Sequence, residues 1–199
     1  MIVDDKNRIF NVAKELDKLN DFSLQIGVFG EDDSFIAMLA SVHEFGMTIR
    51  PKRQYLTIPT ALAGKRKARD IDGLFKPKGK KILATTNKKG ELQVMFYLVE
   101  EVVIPERSFI RSTFDEKEPD WSNYFNMLIG KIVNNDLTAE TAYERLGARI
   151  ASDIQKTIRE LHEPGNASAT VARKKADNPL INTGRLRQSV TWKVVKSGG

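Results

Sequence analysis

The longest regular pattern in the chain is a ladder of branched apolar residues at helical spacing. Its members are Leu146, Ile150, Ile154, Ile158 and Leu161. Side chains three and four positions apart share one face of a helix, so the ladder predicts a long helix with a buried face. Thr138 is its expected cap, and His162 lies near its end. A chain of 199 residues with 41% hydrophobic content is long enough to bury that face in one domain.

The remaining apolar pattern changes irregularly between helical and strand periodicity. It predicts further helices over 4–19, 35–46 and 121–132, with a turn or short helix over 108–114. The predicted strands are 22–29, 81–87, 91–103 and 189–195. The two central strands form a hairpin, with a turn at 87–90 that ends in a glycine. This order favours an α+β fold, in which a small and mostly antiparallel sheet is packed by helices.

Two details of this pattern concern burial. In the helix that Asp32-Asp33-Ser34 caps and Gly46 ends, we expect the face carrying Phe35, Leu39, Val42 and His43 to be apolar and buried. The strand 91–103 is nearly continuous in apolar residues, which predicts cover on both of its faces.

Two segments stand apart from the predicted single domain, 1–199. In 47–79 the periodicity fails and basic residues surround few apolar ones, which predicts a flexible basic loop insertion without a core of its own. The stretch 163–199 predicts an extended C-terminal arm with a short helix over 168–175 and the final strand.

Composition and motifs exclude several kinds of chemistry. The chain has no cysteine and two histidines, so disulfides, thiolate zinc sites and cysteine nucleophiles are excluded. His43-Glu44 begins like a two-histidine zinc signature, but Met47 stands where the second histidine belongs. Gly64-Lys65 lacks the other residues of a phosphate-binding loop. The first residues lack the pattern of a secretory signal, which predicts a protein that stays inside the cell that makes it.

Charge is divided unevenly along the chain. Net charge is −5 over 1–49, +11 over 50–90, −5 over 91–162 and +5 over 163–199, which gives +6 in total. Such a division suits a protein that meets other charged surfaces, either nucleic acid or acidic parts of its own copies. The candidates for contact with phosphates or with an acidic partner are Lys65, Arg66, Lys67, Arg69, Lys78 and Lys80. We favour a loop that faces a partner over a dedicated DNA-binding element, because aromatic residues that could stack on bases are scarce there.

Three segments carry a recognisable pattern: VHEFG at 42–46, IPERSFIR at 104–111 and PLINTGRLRQS at 179–189. In this order they resemble the virion morphogenesis or tail-completion proteins of long-tailed bacteriophages. The resemblance implies a small α+β subunit of the virion neck, assembled in the host cytoplasm. It implies a ring, of six copies, that terminates the tail and joins it to the head connector and tail tube. It brings no catalytic residue, cofactor or metal.

The resemblance also implies contacts between subunits. The residues expected there are Arg107, Phe109, Arg111, Arg185, Leu186 and Arg187. Arg107 and Arg185 are expected to form fork-like pairs with carboxylates, within or between subunits, and Phe109 and Leu186 to be apolar plugs of the core or of a subunit contact.

A ring explains the charge division if the acidic stretch 91–162 of one copy meets the basic stretch 163–199 of the next. The arm would then become ordered on a neighbour, and a chain cut after His162 would remain a folded monomer. Two other classes stay open. One is a DNA-binding accessory or head-completion (minor capsid) protein that uses the basic segments, and the other is a nuclease or peptidase, for which the sequence shows no metal or nucleophile cluster.

Overall fold

The fold is α+β, with about 46% helix and 21% strand. A computed structural model of the chain describes residues 2–165, 180 and 184–197. Within these residues the helices are α1 (Ile2–Lys18), α2 (Ser34–Phe45), α3 (Arg111–Val133), α4 (Ala139–Glu160) and α5 (Arg185–Gln188). The strands are β1 (Phe22–Gly27), β2 (Met47–Ile49), β3 (Leu56–Pro59), β4 (Ile82–Thr86), β5 (Leu92–Val99), β6 (Val102–Ile104) and β7 (Thr191–Lys196).

The centre of the molecule is the antiparallel hairpin of α3 and α4. Near one end of it, Thr113 Oγ1 donates to Thr157 Oγ1 at 2.7 Å, and further along Trp121 Nε1 donates to Asp153 Oδ2 at 2.8 Å. In the apolar ladder of α4, Ile150, Ile154 and Ile158 are buried as predicted, and Leu146 and Leu161 are partly buried against the same core. Thr138 caps α4 by accepting a hydrogen bond from the backbone N–H of Thr141, which confirms the expected start.

In the described part of the chain, the strands pair in antiparallel ladders, in three separate sheets. β1 pairs with β7, so that Phe22 lies opposite Lys196 and Gly27 opposite Thr191, and this ribbon packs on α4. β2 pairs with β6, and β3, β5 and β4 form a three-stranded sheet in that order. The turn between β4 and β5 ends at Gly90 with a φ of +80°, as the sequence predicts.

Two predicted elements have different limits in the structure. α3 begins at Arg111 and continues through Pro119, so the predicted short turn and the helix after it are one helix. The predicted strand 91–103 is interrupted at Glu100-Glu101, and its two parts, β5 and β6, join different sheets. Its expected cover on both faces is incomplete, because Tyr97 is 51% exposed.

The expectation that 47–79 is a flexible solvated loop is wrong, because the segment packs into a core that it shares with β5. β2 and β3 lie inside this segment, and Ala63 is fully buried against Met95 and Phe96. Ile71 and Leu74 pack on the same cluster. The segment has no core of its own, as expected, because β5 supplies the two large buried side chains of this cluster.

The expectation that the C-terminal arm needs a neighbouring subunit is also wrong for its described part. The final strand exists as β7, but it pairs with β1 of the same chain. Leu180, Leu186 and Val190 are buried in the same cluster as the α4 ladder. The predicted short helix over 168–175 lies outside the described residues.

These contacts change the expected result of cutting the chain after His162. Such a chain loses β7 and three buried apolar residues, so β1 is left without its partner. We expect it to show no cooperative thermal unfolding by circular dichroism, whereas a chain ending at Ser197 unfolds like the full protein. A cooperative transition in the shorter chain would show that the arm is dispensable for folding.

Gly147 provides a second test of the fold. A Cβ atom there would overlap Cδ1 and Cγ of the Trp192 indole. We expect Gly147→Ala to lower the free energy of unfolding by about 1–3 kcal/mol in urea denaturation. The matched control is Gly130→Ala in α3, where a Cβ meets nothing within 4 Å. That change is expected to raise stability by up to about 1 kcal/mol, because alanine favours the helix.

Candidate functional site

The three segments that carry the resemblance meet around α2, and we call residues 42–46, 104–111 and 184–189 the junction. At its centre is the Glu44 side chain, which is 5% exposed. Its Oε2 accepts the backbone N–H groups of Phe109 at 2.8 Å and Ile110 at 3.0 Å. Its Oε1 accepts the Ser108 hydroxyl at 2.9 Å and the backbone N–H of Arg111 at 3.0 Å.

Glu44 thereby caps α3 from another helix. The first N–H groups of any helix lack partners inside it. The N-cap residue of α3, Ile110, makes no side-chain cap hydrogen bond, and the carboxylate of Glu44 takes over this task. Burial acts to raise the pKa of Glu44, but the hydrogen bonds from the three backbone N–H groups and from Ser108 outweigh it and hold the pKa below its ordinary value.

Arg107 is the second buried charged group of the junction, at 4% exposed. Its guanidinium donates to the carbonyl oxygens of Pro164 at 2.7 Å and Gly165 at 2.8 Å, and Nη1 lies 3.3 Å from Nδ1 of His43. The expected fork-like pair with a carboxylate is therefore wrong for Arg107, whose acceptors are backbone carbonyls. These bonds fix the chain just after α4 against the end of α2.

Arg111 and Arg185 do pair with carboxylates, and both pairs lie within one chain. Arg111 Nε lies 3.1 Å from Oε1 of Glu44, and its guanidinium covers the ring of Phe45. Arg185 pairs with Asp33, the residue that caps α2 by accepting the backbone N–H of Ile36.

Burial separates the six residues expected at subunit contacts into two groups. Arg107, Phe109 and Leu186 are buried inside the chain, so they hold the fold and present no surface to a neighbour. Arg111 and Arg185 are exposed, and Arg187 is half-buried, so these three remain accessible.

Gly46 explains how the segments come so close. Its φ is +69°, and a Cβ there would lie 2.9 Å from the backbone N of Glu106. A side chain at this position would be strained and would push the end of α2 away from β6.

The polar groups of the junction are occupied by one another, which suits a structural role. Across the described residues, no group of three or more histidine, aspartate and glutamate side chains is placed to hold a metal ion. In the same part of the chain, none of the helices has the length and apolar character that crossing a membrane requires.

Sequence reasoning missed an exposed apolar surface on the outside of α2. The predicted buried face is only partly correct. Val42 is buried, but Phe35 is 58% exposed and Ile36 is buried in its place. The exposed large apolar residues of this region form what we call the α2 patch: Phe35, Met38, Phe45, Met47 and Ile49. The first three share one helix face, since they are three and seven positions apart.

A second exposed apolar surface lies where α1 crosses the end of α3. It is a groove of about 380 Å³, which we call the α1 groove, lined by Arg8, Ile9, Val12, Ala13, Leu16 and Val133. Arg8 Nη2 donates to the carbonyl oxygen of Asn134, directly after α3, which places α1 at this end of the hairpin. Neighbouring Phe10 is 69% exposed.

The candidates for phosphate contact are all exposed. Lys65, Lys67, Arg69, Lys78 and Lys80 point to solvent around the three-stranded sheet. Arg66 is exposed too, but its guanidinium donates to the carbonyl oxygens of Leu62 and Ala63.

Comparison of the chain with protein-family models, with curated proteins and with solved structures gave no match. The resemblance to tail-completion proteins therefore depends on the three sequence segments alone.

The Glu44 cap is testable through its charge. We expect Glu44→Gln to lower the free energy of unfolding at pH 7 by about 2 kcal/mol, because hydrogen bonds to a charged acceptor are stronger than those to an amide. Because folding lowers the pKa of Glu44, its charged carboxylate stabilises the fold at pH values above the ordinary pKa of 4.5. This stabilisation is lost as the pH falls through the lowered pKa. The difference between wild type and variant, measured by urea denaturation, should shrink below about pH 4.5.

Glu160→Gln, at the exposed end of α4, is the matched control and should change stability by less than about 0.5 kcal/mol at either pH. An equal loss in both variants would show that the buried carboxylate has no special role.

Proposed function

We propose that this protein is a structural, non-catalytic subunit of the neck of a long-tailed bacteriophage. In this role it completes the tail as a terminator ring and joins the tail to the head connector. Two things support the proposal: the resemblance of the three junction segments, and the presence of two separate apolar surfaces on one rigid subunit. The two apolar surfaces are the observation that supports assembly into a ring.

The two apolar surfaces lie at opposite ends of the α3–α4 hairpin. The α2 patch is beside the start of α3, where Glu44 binds Arg111, and the α1 groove is beside its end, where Arg8 binds Asn134. α3 has 23 residues, so about 34 Å of helix separates the two ends. A subunit with contact surfaces at both ends can bind a neighbour on each side.

The occupant of each surface is a second copy of the chain. A head-to-tail ring needs two different and complementary surfaces on each subunit, because each contact joins unlike faces. The α2 patch projects phenylalanine and methionine side chains, which are enriched at the centres of interfaces. The α1 groove is a concave apolar surface that can receive them.

The junction fits a structural role better than a catalytic one. A general base must be free to accept a proton from a substrate. Glu44 is buried, its oxygens already accept five hydrogen bonds from the chain, and its pKa is lowered. The same contacts hold the α2 patch in a fixed position relative to the hairpin.

Mixing two variants tests the head-to-tail contact. Phe35→Asp disables the α2 patch and Ile9→Asp disables the α1 groove, and both residues are more than half exposed, so folding should be unaffected. We expect each variant to be monomeric at concentrations where the wild type forms rings. Because the mixture keeps one intact pair of surfaces, it should form dimers that go no further. Native mass spectrometry distinguishes the monomers, the dimers and the rings by their mass.

Leu62→Asp is the matched control, because Leu62 is 54% exposed but belongs to neither surface; it should assemble like the wild type. Rings formed by either single variant would rule out this contact. If the purified wild type stays monomeric, the same variants are scored by their incorporation into particles. Absence of the wild-type polypeptide from purified virions would refute the role in the neck.

A further inference from the structure

A third surface is formed by residues that belong to none of the junction, the α2 patch and the α1 groove. Residues 50–90, which we call the basic lobe, contain thirteen lysines and arginines and two aspartates. We infer that the basic lobe binds the phosphate backbone of duplex DNA without reading its bases. This inference does not rest on the assembly of a ring, since a single subunit carries the whole lobe.

The cations of the basic lobe are available to a ligand. All thirteen lysines and arginines are exposed. Among the described residues, three of them form ion pairs: Arg50 with Glu101, Arg69 with Asp70, and Lys81 with Glu100. The rest present a positive surface that carboxylates of the same chain leave largely uncompensated.

The lobe holds these cations on a folded support. β4 and β5 join through a short turn, and the backbone of Phe75 bridges Ala84 at the edge of β4. Ala63 is buried against Met95, which anchors the chain that carries Lys65 and Lys67. Cations on such a support bind a rigid polyanion with less loss of conformational entropy than cations on a free loop.

The ligand is DNA rather than the acidic part of another copy because of charge density. Duplex DNA carries one negative charge per about 1.7 Å of axis. The acidic stretch at the start of α3 offers far fewer charges, and some of them already have partners within the chain: Glu116 pairs with Lys117, and Glu118 accepts the hydroxyl of Ser122.

The contacts are to phosphates rather than to bases. The lobe contains two aromatic residues, Tyr55 and Phe75. Lys76 lies over the ring of Tyr55, 4.7 Å from its centroid, and so covers a face on which a base would stack. Lysine-rich surfaces with few aromatic side chains bind the sugar–phosphate backbone and give no base specificity.

The experiment measures binding of the full chain to a fluorescent 30-base-pair duplex by anisotropy, from 50 to 300 mM salt. The test variant is Lys65→Gln/Lys78→Gln/Lys80→Gln, which neutralises three exposed cations of the lobe. Each lost phosphate contact should lower the slope of log K against log salt by about one. We therefore expect the negative slope to become shallower by about three. The affinity at 0.1 M salt should fall on the order of a hundredfold.

The matched control is Lys14→Gln/Lys131→Gln/Lys156→Gln, which removes the same charge from exposed positions on α1, α3 and α4. It should keep the wild-type slope and bind within about threefold of the wild type, because salt screens distant charges. Equal losses in both triple variants would overturn the inference, since net charge alone would then explain binding. Failure of the wild type to bind at 50 mM salt would overturn it directly.

Two further measurements separate DNA from a protein partner. Polyglutamate is added as a competitor, and it should displace the duplex only at a much higher charge concentration than unlabelled DNA. Native mass spectrometry of the lobe variant should show the same assembly as the wild type. If polyglutamate competes as well as DNA, or if the lobe variant fails to assemble yet binds DNA normally, the lobe is a protein contact and the inference is wrong.

Discussion

The structure depends on one buried carboxylate at the start of a long helix. Glu44 lies at the end of α2 and satisfies N–H groups of residues that follow it by more than sixty positions. The partial positive charge of a helix N-terminus favours an anion there, so the cap and the charge act together. Without this contact the first turn of α3 would bury unpaired donors, which costs more than the contact itself contributes. The position of α2, and of the apolar patch that it carries, follows from this requirement.

Features that depend on neighbouring residues could be predicted from the sequence. The cap of α2 within Asp32-Asp33-Ser34, the Thr138 cap, the turn that ends at Gly90 and the buried ladder of α4 each use signals within a few positions. The Glu44 cap could not be found in this way, because its partners are distant in sequence. His43-Glu44 was informative only as an incomplete zinc signature, and nothing near Glu44 indicates that its carboxylate meets a helix terminus. The resemblance that includes both 42–46 and 104–111 is the signal that joins them.

The two errors in burial have a common cause. α2 has apolar residues on more than one side, so periodicity alone does not show whether Phe35 or Ile36 is buried. In the basic lobe, the small Ala63 and the isolated Ile71 give no regular pattern, and their core appears only when β5 is added. Local rules fail at both places because contacts with other parts of the chain, or with other molecules, decide which apolar residues are covered.

The same hairpin that orders the core sets the geometry of any assembly. The α2 patch and the α1 groove are held near opposite ends of α3, a helix about 34 Å long. In a closed ring of six the distance between successive contacts equals their distance from the axis, so the length of α3 sets the scale of the proposed ring. The basic lobe takes no part in either contact. In the proposed ring its charge is therefore available to a partner other than the neighbouring copy.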